Sequence, residues 1–234
     1  MESVKARNHE DLVRFYAAGN AGEKSIFEVW EDGGSREDSV TPSTYSREYR
    51  DWMTARLLAE LELNGGGLLS LGCGNAAVEA EVARRGHRVL ALDAMEDAVA
   101  LARRKGLEAV CADIYQWEPA EPWSVIYIDG VLGHLLDPRE GLTPVLERIR
   151  SWLAPGPGSR SGRASLVASN DAPRDGGEFQ KAPKVDGFHW LSAPYLRDQA
   201  LKSGFDTAET DEFRYSRPFS GERVRAVMTA HVVG

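Results

Sequence analysis

The chain has 234 residues, of which 42% are hydrophobic and 27% are charged, so it can bury a sizeable core and is too apolar for a disordered protein. Its 28 basic and 36 acidic residues give a net charge of −8, which disfavours a nucleic acid or an anionic membrane surface as partner. We therefore expect a small-molecule substrate, and a monomer or a homodimer.

The first 64 residues differ in pattern from the rest of the chain. They contain two stretches with helical periodicity, at 10–18 and 47–61, separated by polar, glycine-containing sequence. In the second stretch the large apolar side chains share one face of the predicted helix. The sequence predicts that residues 1–64 form an N-terminal helical cap or lid, rather than a domain of their own, on a main domain over residues 65–234.

From residue 65 onward, short apolar strands alternate with helical stretches. This alternation predicts an α/β fold with a doubly wound, mainly parallel sheet of seven strands. The final two strands have no helix between them, so the last strand should be antiparallel. Strands are predicted at 68–71, 88–92, 108–112, 123–128, 164–169, 205–213 and 223–232, and helices at 76–85, 95–105, 137–154 and 193–203. Residues 171–190 form a long polar connection, of a length that is uncommon unless functional.

A glycine turn follows the first strand, and a carboxylate ends the second. The turn is Leu71-Gly72-Cys73-Gly74, and Asp93 comes 19 residues after Gly74. In parallel sheets, ligands bind at the carboxyl ends of the strands, where glycine lets the chain turn sharply and lets a ligand approach the backbone. A carboxylate at this offset suits the two hydroxyls of a ribose, so the pattern predicts a nucleoside site.

These motifs resemble those of the class I S-adenosylmethionine-dependent methyltransferases of the small-molecule type. The resemblance spans residues ~65–155, and the closing antiparallel strands also fit it. It implies the Rossmann-like methyltransferase fold and S-adenosyl-L-methionine as cofactor. It rests on the glycine turn, Asp93, Ala112-Asp113-Ile114, Asp129-Gly130-Val131-Leu132-Gly133-His134-Leu135 and the stretch 149–156 that ends in Pro155-Gly156.

The resemblance also implies which residues bind the cofactor. The glycine turn would lie beneath the methionine and ribose, Asp93 would bind the ribose, Asp113 and Ile114 the adenine, and Asp129 with Gly130 the methionine amine. The family usually has an acidic residue where this chain has Ser70. The full set of cofactor-binding candidates is Tyr45, Gly72, Cys73, Gly74, Asp93, Ala94, Asp113, Ile114, Asp129 and Gly130.

The catalytic candidates are chosen for their chemistry and their place in the predicted sheet. Aromatic faces can hold a sulfonium cation, and Tyr16 and Tyr45 lie in polar surroundings that core packing does not explain. His134 follows the fourth strand and could act as a general base near neutral pH. Asn170 and Asp171 directly follow the predicted fifth strand. The catalytic candidates are Tyr16, His134, Asn170, Asp171 and Tyr215.

The remaining sequence features argue against a metal site, a signal peptide and a membrane-spanning helix. The two cysteines, Cys73 and Cys111, form no C-x-x-C motif, and the histidines are scattered, so we expect no metal site. The charged start of the chain predicts no signal peptide, no run approaches ~20 apolar residues, and a cytoplasmic location is expected.

Four functions are compatible with the sequence. The first is methyl transfer to O, N or C of a small molecule. The second is cyclisation of S-adenosylmethionine by its own amine, giving azetidine-2-carboxylate and methylthioadenosine. The third is a non-enzymatic binding module, which Asp93 and Asp113 disfavour. The fourth is a nicotinamide-dependent oxidoreductase, which Ala77 permits and Asp113-Ile114 fits poorly.

Overall fold

The computed structural model describes residue 16 and the ranges 24–36, 39–183, 185 and 187–234. Its main sheet has seven strands in the order β3-β2-β1-β4-β5-β9-β8. The strands are β1 (Leu68–Leu71), β2 (Val89–Asp93), β3 (Glu108–Cys111), β4 (Val125–Asp129), β5 (Arg163–Asp171), β8 (Thr207–Arg217) and β9 (Gly221–Val233), with a separate two-stranded hairpin of β6 (Phe179–Lys181) and β7 (His189–Leu191).

The first five strands of the main sheet pair in parallel, and β9 is antiparallel to both of its neighbours, β5 and β8. This confirms the doubly wound sheet with an antiparallel last strand. The strand order reverses between β1 and β4, so the cleft of a doubly wound sheet opens at their carboxyl ends.

Helices cover both faces of this sheet. They are α1 (Ile26–Glu31), α2 (Pro42–Tyr45), α3 (Arg47–Asn64), α4 (Ala77–Arg84), α5 (Glu96–Arg104), α6 (Thr143–Ser151) and α7 (Ala193–Lys202). Successive strand residues point to opposite faces, so Leu68 packs beneath α3, α4 and α5 while Leu69 packs beneath α6 and α7. Burial on both faces explains the uninterrupted apolar sequence of β4.

The predicted helix start at Asp137-Pro138 is wrong. Asp137 and Gly141 instead exchange two backbone hydrogen bonds of 2.9 Å, and the Asp137 carboxylate accepts from the N–H groups of Arg139 and Glu140. The side chain therefore closes a turn. Helix α6 starts at Thr143, and Pro144 occupies its first turn.

The fifth strand is longer than predicted. Asn170 and Asp171 belong to β5, where they pair with Ala226 and Arg225 of β9. The sequence placed them after the strand because polar residues usually end an apolar run. Non-local pairing with β9 extends the strand, and both side chains become fully buried.

Part of the predicted N-terminal cap is described. The predicted helix at 47–61 is observed as α3, and the short helices α1 and α2 were not predicted. The predicted helix at 10–18 lies outside the described residues apart from Tyr16, and the division of the chain at residue 64 stays a prediction. Within the described ranges, the search for a helix with the length and hydropathy to cross a membrane finds none.

Candidate functional site

The glycine turn begins the site. Gly72 and Gly74 have φ angles of +73° and +54°, which favour glycine. A Cβ atom on Gly72 would lie 2.3 Å from a methyl carbon of Val131, so a side chain cannot fit there. The N–H of Gly72 donates to the carbonyl of Leu92 at 2.7 Å. The turn is thereby held against the end of β2.

Asp93 joins β2 to the glycine turn. Its Oδ2 accepts from the N–H of Gly74 at 2.9 Å, and its Oδ1 accepts from the N–H of Met95 at 3.0 Å. The two carboxylate oxygens can accept about four hydrogen bonds between them, so acceptor capacity remains for a ligand hydroxyl. Burial raises the pKa of Asp93 to about 6, against the opposing effect of the backbone donors.

A cavity opens at the carboxyl ends of β1, β2 and β4. It is a mostly apolar pocket of about 140 Å³, which we call the first cavity. Most of the residues predicted from the sequence meet in it. Its lining includes Tyr16, Gly72, Cys73, Gly74, Asp93, Ala94, Asp113, Ile114, Asp129, Gly130 and His134.

Two of the adenine-side candidates are held by local hydrogen bonds. Asp113 Oδ1 accepts from the N–H of Tyr115 at 2.9 Å. The carbonyl of Ile114 accepts from Nε of Arg148 at 2.8 Å, which ties this loop to α6. The Asp113 carboxylate and the Ile114 backbone therefore occupy the wall of the first cavity that follows β3.

An aromatic wall of Tyr16, Phe27 and Trp30 lines the first cavity. The rings of Tyr16 and Phe27 stack at 5.8 Å, and those of Phe27 and Trp30 meet edge-on at 5.3 Å. Phe27 and Trp30 were not predicted. The sequence feature that could have predicted this helix is the pair Ser25 and Glu28, which forms a capping box at the start of α1.

Helix α1 is fastened to the glycine turn by Lys105. Its Nζ donates to Glu31 Oε2 at 2.6 Å and to the carbonyl of Asn75 at 2.6 Å. Glu31 ends α1, and Asn75 directly follows the turn. Lys105 therefore links the helix that carries Phe27 and Trp30 to the glycine turn.

Tyr16 and His134 meet across the cavity. The Tyr16 hydroxyl lies 3.2 Å from Nε2 of His134. Burial, and then the neighbouring His189, lower the pKa of His134 to about 3, so the imidazole is neutral at pH 7. Burial, and then Asp93, raise the pKa of Tyr16. The pair is thus an uncharged hydrogen-bond donor and acceptor, and so low a pKa goes against the predicted role of His134 as a general base near neutral pH.

The carboxylate of Asp129 forms a buried ion pair with Arg225. Its Oδ1 accepts from Nη2 of Arg225 and from the hydroxyl of Ser169, while Oδ2 accepts from the Tyr127 hydroxyl at 3.1 Å. Arg225 is 1% exposed. The Asp129 carboxylate is therefore largely occupied, and Gly130 presents backbone to the cavity.

The same arginine also holds Asp171, together with Tyr215. Asp171 Oδ1 accepts from Nη1 of Arg225 at 2.9 Å and from the Tyr215 hydroxyl at 2.5 Å, while Arg217 donates to Oδ2. Burial alone would raise the pKa of Asp171, but Arg225 and Arg217 outweigh it and lower the pKa. Asp171 and Tyr215 lie beside the cavity in this network and do not line it.

Two further candidates are placed away from the first cavity. Asn170 donates from Nδ2 to the carbonyl of His189 at 3.0 Å, which links β5 to the hairpin. Tyr45 donates its hydroxyl to the carbonyl of Ser216 at 2.8 Å. Neither side chain is part of the cavity lining.

A buried carboxyl that the sequence analysis did not select lies at the end of the first cavity near Asp129. Glu79, on the first turn of α4, accepts from the hydroxyl of Ser70 at 2.6 Å. It is 4% exposed and lines the cavity. The available signal was an acidic residue on the first turn of the helix that follows a glycine turn.

A second, larger cavity adjoins the first. It has a volume of about 790 Å³, within the usual range for small-molecule sites. The hairpin supplies one side of it through Phe188 and Trp190. The residues that line both cavities are Tyr16, Trp30, Thr41, Gly130 and His134.

Metal-ligand groupings were sought among the described residues. Within them, no group of three histidine, cysteine or acidic side chains is arranged to hold a metal ion.

Comparison with known proteins identifies relatives. A family model described as a methyltransferase domain matches residues 68–156. The tabtoxin biosynthesis enzyme of Pseudomonas amygdali pv. tabaci is 43% identical over 211 residues, which cover 89% of this chain and 81% of that protein.

Solved structures share the fold. The 1,6-didemethyltoxoflavin-N1-methyltransferase of Burkholderia thailandensis, with bound 1,6-didemethyltoxoflavin and S-adenosylhomocysteine, is similar with a TM-score of 0.65 at 21% identity, over 98% of this chain and 89% of that one. The N-methyltransferase NodS of Bradyrhizobium japonicum WM9, in complex with S-adenosylhomocysteine, has a TM-score of 0.56 at 18% identity, over 88% and 98%.

The sheet order, the glycine turn with Asp93 and the methyltransferase-domain match agree with one another, and the 43% identical relative spans most of both chains. The chain therefore belongs to the same family as that tabtoxin biosynthesis enzyme, and it has a methyltransferase domain with the fold of the class I S-adenosylmethionine-dependent methyltransferases.

Proposed function

We propose that the protein transfers a methyl group from S-adenosylmethionine to O, N or C of a small molecule. The observation that carries this proposal is the second cavity, which shares five lining residues with the first and offers about 790 Å³ beside it. The first cavity would hold the cofactor, and the second would hold the acceptor.

The residues of the first cavity fit this cofactor. Asp93 keeps acceptor capacity for a ribose hydroxyl, and Gly72 and Gly74 leave the backbone open to a ligand. Asp113 and the Ile114 backbone would face the adenine. When bound, the cofactor supplies a methyl group on a positively charged sulfur, and a neutral thioether leaves.

The chain then contributes alignment and exclusion of water. The aromatic wall of Tyr16, Phe27 and Trp30 can hold a cation through its ring faces. His134 lines both cavities and can orient an acceptor in the second cavity by hydrogen bonding, but its low pKa makes it a weak base at pH 7. Holding two reactants in one geometry supplies much of the rate in such reactions.

The test uses S-adenosylmethionine carrying a labelled methyl group, with and without a small-molecule extract of cells that naturally contain this protein. We expect S-adenosylhomocysteine, and label in an extract compound, only when the extract is present. A Val185→Trp variant should lose this transfer and keep its affinity for S-adenosylhomocysteine, because Val185 lines the second cavity and does not line the first. Leu201→Trp, at a surface position of α7, is the matched control.

A second candidate reaction is favoured by Glu79. Here S-adenosylmethionine is the sole substrate: its amine nitrogen bonds to its own γ-carbon as the bond from that carbon to sulfur breaks. The amine proton passes to a base, and the products are azetidine-2-carboxylate and methylthioadenosine. Glu79 is a buried carboxyl in the first cavity whose pKa burial raises to about 7, so it can accept that proton near neutral pH.

The same labelled incubation separates the two candidates. Methylthioadenosine formed from S-adenosylmethionine alone, with wild-type and Val185→Trp protein alike, would support cyclisation and contradict methyl transfer. S-adenosylhomocysteine that appears only with an added acceptor would support methyl transfer.

A further inference from the structure

The carboxyl of Glu79 lies beside the first strand, where Ser70 holds it by a hydrogen bond. Ser70 lies on β1, two residues before Gly72, and its hydroxyl donates to Glu79 Oε1 at 2.6 Å. Glu79 reaches this point from α4, nine residues further along the chain. A carboxyl is thus present beside the first strand although the strand itself supplies none.

Charged and titratable groups surround Glu79 on several sides. Asp129 and Tyr127 face it from β4, Cys73 faces it from the glycine turn, and Lys105 acts on it from the segment after α5. Burial raises the pKa of Glu79 to about 7, with Asp129 adding to the rise and the Ser70 hydroxyl and Lys105 opposing it. Lys105 is already bonded to Glu31 and Asn75.

A carboxyl that lines a cavity and is 4% exposed is costly to keep ionised unless a cation pairs with it. The Asp129 carboxylate, at the same end of the cavity, is taken up by Arg225. Glu79 is therefore the carboxyl at this end of the first cavity that an incoming cationic group of a ligand can satisfy.

We propose that Glu79, which is buried, lines the first cavity and is held by Ser70, binds the α-ammonium group of the amino-acid part of S-adenosylmethionine. This inference rests on the proposed binding of that cofactor in the first cavity, and it holds for methyl transfer and for cyclisation alike. Ser70 is the positioning residue, because its hydroxyl fixes the Glu79 carboxyl.

Two ligands isolate this contact. S-adenosylhomocysteine carries the amino-acid part, and methylthioadenosine carries the same nucleoside without it. In calorimetric titrations at pH 7.5, Glu79→Gln should weaken S-adenosylhomocysteine binding by about tenfold or more, the range for one hydrogen bond to a charged group, and change methylthioadenosine binding less than about twofold. Glu81→Gln, on the outer side of the same helix, is the control and should change neither.

Each outcome bears on the proposal. Equal S-adenosylhomocysteine affinity in wild type and Glu79→Gln, with both ligands bound by the wild type, would overturn the Glu79 contact and leave the cofactor site standing. A wild type that binds neither ligand would overturn both. Equal losses for the two ligands would also overturn the contact, because they would show a general disturbance of the cavity.

A second measurement needs no substitution. Below pH 7, Glu79 gains a proton and loses its attraction for an ammonium group, so S-adenosylhomocysteine affinity should fall as the pH is lowered. Asp93 also titrates in this range, but it faces the nucleoside that both ligands share. The ratio of the two affinities should therefore rise by about tenfold or more from pH 5.5 to 7.5 in the wild type. A constant ratio would overturn the proposal.

Discussion

The carboxylate of Asp93 accepts a hydrogen bond from the backbone N–H of Gly74 at 2.9 Å, so one side chain fixes the glycine turn and also faces the first cavity. Both oxygens of this carboxylate are bonded to backbone N–H groups. The shape of the turn and the proposed binding of a ribose therefore depend on the same group.

Replacing Asp93 by alanine should weaken nucleoside binding. Loss of hydrogen bonds to a charged acceptor corresponds to about 1.5–3 kcal/mol, so the Kd for methylthioadenosine should rise by about 10–100-fold in calorimetric titrations. Asp97→Ala, an exposed acidic residue on α5, is the control for the change in net charge. Unchanged affinity in Asp93→Ala would contradict the assignment of the ribose site.

The aromatic wall should discriminate charge on the ligand. S-adenosylmethionine carries a sulfonium cation, and S-adenosylhomocysteine carries a neutral sulfur. Tyr16→Leu should lower the affinity for the cation relative to the neutral ligand by about 2–30-fold, since one cation–π contact contributes roughly 0.5–2 kcal/mol. Tyr16→Phe keeps the ring face and should keep the ratio. A ratio that falls equally in both variants would assign the effect to the hydroxyl instead.

The buried imidazole of His134 should make the protein sensitive to acid. Its folded pKa is about 3, while an unfolded histidine titrates near 6.5, so below pH 6.5 the unfolded chain binds the extra proton and stability falls. Between pH 6.5 and 5 this contributes a loss of about 2 kcal/mol, which His134→Phe should remove. Urea unfolding at both pH values measures the difference.

The control for this experiment is His87→Gln, a substitution of another histidine outside the site. It corrects for the loss of one imidazole from the unfolded chain. If wild type and His134→Phe lose the same free energy of unfolding between pH 6.5 and 5, the buried neutral imidazole is not the cause of the acid sensitivity.

Arg225 should be essential for stability. It is bonded to Asp129 and Asp171, and its removal would leave two buried carboxylates without their main partner. Breaking a buried ion pair in this way destabilises by about 3–5 kcal/mol, so Arg225→Met should lower the free energy of unfolding by that amount. Arg214→Met, at an exposed position of β8, should have little effect. A loss below about 1 kcal/mol for Arg225→Met would show that the network rearranges.

Most of the sheet could be predicted from the sequence because local patterns decide it. Short apolar runs bounded by glycine specify the parallel strands, and the helices between them end at glycines such as Gly86 and Gly106. The meeting of the residues proposed to bind the cofactor in one cavity follows from the same pattern, since the topology of a doubly wound sheet brings the ends of its strands together.

The remaining features depend on contacts that are distant in the chain. The end of β5 is set by its pairing with β9, so Asp171 could not be placed from its neighbours alone. Helix α1 has six residues and is marginal in isolation, so it depends on packing of Phe27 and Trp30 against the rest of the site. The role of Arg225 depends on three strands that meet in space.

The hydrogen bond between Ser70 and Glu79 restricts which substitutions these two positions can accept during evolution. An aspartate at position 70 beside an unchanged Glu79 would bring two carboxyls within bonding distance, and one of them would have to stay protonated. A serine at position 70 without Glu79 would leave no acid there at all. With Glu79 in its proposed role, each single exchange would impair ligand binding, so we expect residues 70 and 79 to vary together among descendants of a common ancestor.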